Sequence, residues 1–243
     1  MKTVESGEVV CYETIAMSLP SQLPKFVILA LVGLSALGLS SCKTLKVAKQ
    51  DDYDSPAYRP QSLSNVRVKV SLNKQMVYVM EGDKPLLVTA TCVGTPSNPT
   101  PRGNFKVYNK IEKKRSMSYG FAVQGNAITP IKATNMRGGR YVGYPMPYWV
   151  EFSPAYGFHQ GYVWNVPRSH GCLRLHKNVA PKFFALTRLG TPVNIAYTQP
   201  EDNTLGATAT RPGAEHYLAP DPPNSVLITE AAFKAPDKPL FAN

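Results

Sequence analysis

Within residues 159–175, HQGYVWNVPRSHGCLRL, two of the chain's four histidines stand ahead of a cysteine, the second of them in the tripeptide His170-Gly171-Cys172. A thiol becomes a strong nucleophile only when a base or a positive neighbour draws off its proton, and imidazole is the side chain that titrates near neutrality. The intervening glycine has no Cβ, so a substrate carbonyl can approach the backbone closely. These types at this spacing point to a cysteine nucleophile, Cys172, with His159 and His170 both available as its base. The sequence alone does not rank the two. The backbone N–H groups of Gly171 and Cys172 are the natural donors to an oxyanion. Arg174 is permanently cationic and suits a carboxylate in bidentate geometry, and Ser169 is placed to support the turn with a hydrogen bond.

A metal reading competes with the thiol. His159, His170, Cys172 and His176 are all zinc-ligand types, but His-x-Cys-x3-His is not among the commoner zinc spacings, and a catalytic thiol accounts better for the glycine and arginine neighbours. The sequence therefore predicts no metal centre, and His176 and His216 read as solvated.

The set His159, Ser169, His170, Gly171, Cys172, Leu173 and Arg174 resembles the active-site signature of the L,D-transpeptidases (YkuD-type domains). That signature has an upstream His, a variable loop, then Ser/Thr-His-Gly-Cys, a hydrophobic residue and Arg or Asn; here the loop, residues 160–168, is compact. The resemblance implies acyl transfer on peptidoglycan stem peptides. Cys172 attacks the bond between the L-configured centre of a diamino acid and a D-amino acid, the D-amino acid leaves, and an amine captures the thioester. It also implies His159 as the base, with the Gln160 carbonyl fixing its tautomer, while His170 shapes the pocket or stabilises the thiolate. It implies no cofactor. An L,D-carboxypeptidase, in which water takes the acyl group, and an inactive wall-binding module are the alternatives; none of the motif's reactive residues is missing.

The elements that must position this site start at residue 66. Val66, Val68 and Val70 alternate with polar residues, Asn73-Lys74 and Glu81-Gly82-Asp83 give turns, and residues 86–93 form a further strand, with Cys92 expected as a buried strand residue. A disulfide from Cys92 to Cys172 would switch the nucleophile off. The Gly- and Pro-rich stretch 93–103, with Thr100-Pro101-Arg102-Gly103 before an aromatic strand, follows the order seen in YkuD-type domains. In that family a Met-Pro-aromatic segment borders the donor-peptide groove. The resemblance so names Tyr144, Met146 and Trp149 as substrate-binding candidates, Trp149 foremost as a water-excluding wall. Asn178 is placed to cap a helix through residue 189, and residues 193–197 read as a last strand. The expected fold class is mainly β with a few short helices, a β-sandwich or barrel-like catalytic domain over residues 66–198.

At 243 residues with 43% hydrophobic content the chain can bury a core of good size, and its net charge of +11 raises the question of an anionic partner. The positive residues are scattered, Lys113-Lys114-Arg115 being the one run, and no nucleic-acid motif accompanies them. A solvated basic surface is the reading, with stem peptides as partner, no nucleic acid, and a monomer. Near the N-terminus the apolar run 26–39 is too short to span a bilayer but suits a secretory signal, and Leu39-Ser40-Ser41-Cys42 resembles a lipobox. Residues 1–41 are thus expected to be a lipoprotein signal peptide, with Met17 as an alternative start because residues 1–16 hold three glutamates. Cys42 is the lipidation site that ties the mature protein to the membrane. The expected location is the envelope, facing the periplasm, with the outer membrane favoured. Residues 42–65 read as a flexible tether and residues 199–243 as a Pro-rich, poorly ordered tail, within which 226–233 could form one docked helix.

Overall fold

The structure is a computed structural model that describes residues 47–48, 52–213 and 222–242. The signal peptide, Met17, Cys42 and the start of the tether, together with His216, lie outside the described residues. The strands in chain order are β1 (Val47–Ala48), β2 (Val66–Ser71), β3 (Met76–Glu81), β4 (Lys84–Ala90), β5 (Gly103–Lys106) and β6 (Asn109–Gln124). They continue with β7 (Ala127–Lys132), β8 (Arg140–Ser153), β9 (Tyr156–Gln160), β10 (Leu173–Leu175), β11 (Pro192–Ala196) and β12 (Arg211–Pro212). Three short helices, α1 (Ala180–Leu186), α2 (Leu205–Thr208) and α3 (Asn224–Leu227), complete the described part, which is mainly β as expected.

Two five-stranded sheets carry the architecture, one ordered β4-β3-β2-β11-β5 and the other β10-β9-β8-β6-β7. In β2 the predicted alternation holds: Val66, Val68 and Val70 are buried while Arg67 is exposed, because successive side chains leave opposite faces of a strand. Strands β2, β3 and β4 follow as antiparallel neighbours, and β11 returns parallel to β2. The second sheet is antiparallel except at its edge, where β10 runs parallel to β9. Phe105 of β5 meets Phe152 of β8 at 5.3 Å between ring centroids, and Phe158 of β9 meets Phe183 of α1 at 4.4 Å. A fully buried ring such as Phe158 or Phe183 contributes about 1.5–3 kcal/mol.

The helix after the cysteine motif begins later and ends sooner than its sequence suggests. Val179 is its N-cap, and Asn178 instead donates its Nδ2–H to the Tyr53 carbonyl at 2.8 Å. Leu189 lies beyond its end and is exposed. Its last carbonyls are capped by Lys110 of β6, whose Nζ reaches Phe184 O at 2.7 Å and Thr187 O at 2.5 Å.

The expected tether and tail are docked wherever they are described. Tyr53 and Ala57 are fully buried, the Tyr53 hydroxyl accepts from Ala90 N–H at 2.9 Å, and Lys182 Nζ pairs with Asp54 at 2.7 Å. In the tail, Asp202 accepts from the hydroxyls of Tyr78 and Ser71, each at 2.8 Å. Farther along, Arg115 of β6 donates to Leu227 O at 2.9 Å and Thr229 O at 2.7 Å and lies over the Phe233 ring. The candidate helix 226–233 is therefore docked, as α3 followed by a 3-10 turn at Glu230–Phe233. Composition understated this order because few apolar residues are involved; single buried rings and hydrogen bonds to carbonyls hold these segments.

Candidate active site

Strand register turns three separate sequence segments into one surface. Arg174 in β10 lies opposite His159 in β9, and side chains of partners in a parallel pair leave the same face. Cys172 is two residues before Arg174 and shares that face. On the other side of β9, Val150 opposes Phe158 and Glu151 opposes Gly157, which brings Trp149 alongside His159. Strand β6 adds Asn109 opposite Glu151 and Ile111 opposite Trp149. Two rows result, Asn109-Glu151-Gly157-Cys172 and Ile111-Trp149-His159-Arg174, while Val150, Phe158, Leu173 and Leu175 fill the core from the opposite face.

Gly157 leaves the gap on which the first row depends. A Cβ there would stand 2.9 Å from the Trp149 ring and 2.8 Å from Val150 O, so any side chain would push the indole away from the face. Trp149 is 2% exposed, its ring centroid is 6.0 Å from that of His159, and its Nε1–H donates to Glu151 Oε2 at 3.1 Å. It walls the histidine and offers a peptide little free surface.

The turn holding Cys172 is locked from two sides. Ser169 Oγ donates to Cys172 O at 2.6 Å and accepts from Gly171 N–H at 3.0 Å. Ser169 also exchanges backbone bonds with the Gly-rich stretch, its N–H donating to Val93 O and its carbonyl accepting from Thr95 N–H, each at 3.0 Å. Gly171 has φ 106°, a conformation that favours glycine, and a Cβ at that position would stand 2.5 Å from Tyr156. One expectation changes here: the Gly171 N–H is engaged by Ser169, so it is the Cys172 N–H that is left to serve an oxyanion. The Cys172 thiol donates to the Ala155 carbonyl at 3.7 Å.

His159 is 6% exposed, and its Nδ1 lies 2.7 Å from Gln160 O. A carbonyl only accepts, so Nδ1 carries the proton and Nε2 is the basic nitrogen. Burial and the nearby Arg174 guanidinium push the His159 pKa down to about 4, against the pull of the Gln160 carbonyl. Burial also pushes the Cys172 thiol up, opposed by the Gly157 N–H and Arg174. The resting pair is consequently neutral thiol and neutral imidazole. Charge would appear only when a proton moves.

Other sequence candidates lie farther out. His170 is exposed and stacks on Tyr119 at 4.9 Å and 25°. Tyr144 lines a groove of about 780 Å³ with Tyr119, Phe121, Lys132, Pro223 and Leu227. Met146 is half-buried opposite Lys114. The structure thus brings Trp149, not Tyr144 or Met146, to His159. Arg174 lies over the Trp164 ring at 5.1 Å in the compact loop, and its stem covers Gly161. His176, expected to be solvated, is buried with its ring edge against Tyr53, and its Nδ1 accepts Asn178 N–H at 3.2 Å. The four zinc-ligand types so diverge, and among the described residues no three of His, Cys, Asp and Glu converge as a metal set would. Cys92 is buried and faces Arg174 across an isolated bridge, and the two described cysteines, Cys92 and Cys172, are free thiols. Glu151, Ala155, Gly157 and Tyr119 escaped the sequence reading. Only the aromatic density of 141–158 hinted at this neighbourhood.

A family model, described as the L,D-transpeptidase catalytic domain (YkuD), matches residues 65–195. No match is found among curated proteins. Among solved structures the chain is similar to an L,D-transpeptidase from Stackebrandtia nassauensis, 21% identical over 59% of this chain and 60% of that one, with a TM-score of 0.42. It is also similar to one from Mycobacterium smegmatis, 17% identical over 54% and 58% with a TM-score of 0.42. A mutant Enterococcus faecium L,D-transpeptidase is 25% identical over 54% and 50%, at 0.41. The chain spans about three fifths of the length of the first of these structures.

Proposed function

The chain belongs to the family of L,D-transpeptidase catalytic domains, and from that premise we propose that it is a cysteine-dependent acyltransferase acting on peptidoglycan stem peptides. The observation that carries the reading is the shared face of Cys172, His159 and Arg174, with the His159 tautomer fixed so that Nε2 is the base. A nucleophile, a base oriented by a third group and a cation beside them form the arrangement that acyl transfer through a thioester requires.

In this mechanism the donor peptide enters with a carboxylate near Arg174. His159 Nε2 takes the thiol proton as Cys172 Sγ attacks the carbonyl carbon, and the Cys172 N–H supports the oxyanion. Collapse breaks the bond to the D-amino acid, whose nitrogen leaves with the proton from the imidazolium. An amine then attacks the thioester, again losing its proton to His159, and Cys172 is regenerated. Starting from a neutral pair suits this cycle, because a buried imidazolium is costly at rest and is formed only as the reaction demands it. We further propose that Cys42 carries lipid and holds the domain in the envelope, facing the periplasm.

Incubation with a carbapenem tests the nucleophile: a mass increase of one drug molecule on Cys172, absent from Cys172→Ala, is expected. With a tetrapeptide donor, added diamino acceptor should divert product to a cross-linked peptide. If hydrolysis alone continues at high acceptor concentration, the protein is an L,D-carboxypeptidase. For the anchor, incorporation of labelled fatty acid should be lost in Cys42→Ala.

A further inference from the structure

Glu151 stands in the same row as Cys172 and, without touching the thiol, gathers groups that border it and His159. Its Oε2 accepts Trp149 Nε1–H at 3.1 Å and Asn109 Nδ2–H at 3.0 Å, and its Oε1 accepts Ala155 N–H at 3.2 Å. The Tyr108 hydroxyl bonds to the same carboxylate. Burial works to raise this carboxyl, but the four donors together outweigh it and hold Glu151 below the usual carboxylate range. It is therefore an anion at neutral pH.

Two of those donors lead directly to the reacting pair. The Trp149 indole lies beside the His159 imidazole and fills the gap above Gly157, between Glu151 and Cys172. Ala155, in the β8–β9 turn with φ 64°, offers to Cys172 Sγ the carbonyl of the same residue whose N–H is held by Glu151. A carboxylate has lone-pair sites for four donors. A glutamine has one carbonyl and turns an NH2 toward the rest, so no neutral isostere holds all of them.

We propose that Glu151 is a positioning residue that sets the Cys172 thiol and the His159 imidazole relative to each other, through the Ala155 turn on one side and the Trp149 indole on the other. Without it the turn carbonyl is released from the thiol and the indole from the imidazole. The nucleophile and base then lose register although both are present. The rate part of this inference rests on the acyl-transfer reading; the part concerning the thiol's environment does not.

The test compares the full chain with Glu151→Gln, Trp149→Phe and the double variant. Two readouts are used: the pH dependence of Cys172 alkylation by iodoacetamide, and kcat and KM with a tetrapeptide donor. Glu151→Gln should lower kcat by about 30-fold with KM changed less than about threefold, as expected for lost alignment. It should also move the alkylation midpoint down by about half a pH unit, because the carbonyl that favours the protonated thiol and a nearby negative charge are both lost. Its melting temperature should stay within about 3 °C of the wild type. Trp149→Phe removes one donor only and should lower kcat about fivefold, with the double variant losing less than the product of the two singles. Because it leaves the carboxylate in place, Trp149→Phe carries the test should the glutamine variant melt. A wild-type kcat and midpoint in Glu151→Gln, multiplicative losses in the double variant, or activity that follows melting temperature alone would overturn the proposal. A shifted midpoint in an enzyme that transfers no acyl group would uphold the positioning role and sink the proposed function instead.

Discussion

Two carboxylates, Glu151 and Asp202, are built alike and placed at opposite ends of consequence. Asp202 is 5% exposed and accepts from Tyr78, Ser71 and the Gln199 N–H at 2.8, 2.8 and 3.0 Å, tying β2 and β3 to the segment after β11. Burial and this carboxylate push the Tyr78 phenol far up, so the phenol keeps its proton as a donor. Beyond its partners lie groups of the scaffold, the Lys74 N–H at Ser71 and the Val70 carbonyl and Asn194 at Gln199. One bond beyond the partners of Glu151 are a thiol and an imidazole. Satisfying a carboxylate withdrawn from water, wholly at Asp202 and partly at Glu151, is a similar physical problem in both places; what the solution does depends on where the donors' other ends lead.

The largest effect that could break this contrast is at the thiol. Cys172→Ala should abolish the carbapenem adduct and lower acyl transfer by at least about 10³-fold, with the melting temperature unchanged. A large fall in melting temperature would show that Cys172, like Asp202, belongs to the scaffold. His159→Ala should cost about 10²-fold or more in kcat, as loss of a general base does. His170→Ala should cost only a few-fold, because its ring lies against Tyr119; equal or reversed losses would reassign the base.

Asp202→Ala gives the converse. It strands the Tyr78 hydroxyl and the Gln199 amide in the interior and should lower stability by about 3 kcal/mol, read by urea unfolding, while turnover per folded molecule stays at the wild-type value. A changed pH profile there would erase the distinction.

The pH dependence of folding sharpens it further. The folded His159 pKa of about 4 lies below the unfolded value of 6.5, so between those limits the unfolded chain binds the extra proton. Stability therefore falls as pH drops from 6.5 toward 4, by about 3 kcal/mol at pH 4.5 from this residue. His159→Phe should remove that slope, measured as unfolding free energy at pH 7.5 and 4.5 against the wild type. The same shift predicts that acyl transfer keeps its base down to about pH 4–5, well below an ordinary histidine.

The smallest effect is expected where the tail docks on β6. Arg115→Ala removes the donor to Leu227 O and Thr229 O on a half-buried surface and should cost about 1 kcal/mol. Its readout is faster proteolysis within 222–242, with kcat for a tetrapeptide unchanged.

Residue types and short-range spacing determined much of this protein. The period-two valines gave β2, the glycines and prolines of 93–103 marked the turn that grips Ser169, and the His170-Gly171-Cys172 tripeptide with His159 and Arg174 marked the candidate site, because each signal is written within a few residues. The Gln160 carbonyl was named in advance by the family resemblance, and it bonds His159 because it belongs to the next residue in the chain. Tertiary structure decided the rest. Cys172 and Glu151 are 21 positions apart in sequence and share a row only through the registers of β8, β9 and β10, and a shift of one residue in any of them would send those side chains to the opposite face. Burial, too, is a property of the assembled sheets: it keeps His159 a neutral imidazole, turns His176 inward and docks Tyr53 and Asp202. Hydrophobic patterning cannot announce these, since a single ring or carboxylate fixed by hydrogen bonds leaves no periodic trace in the chain.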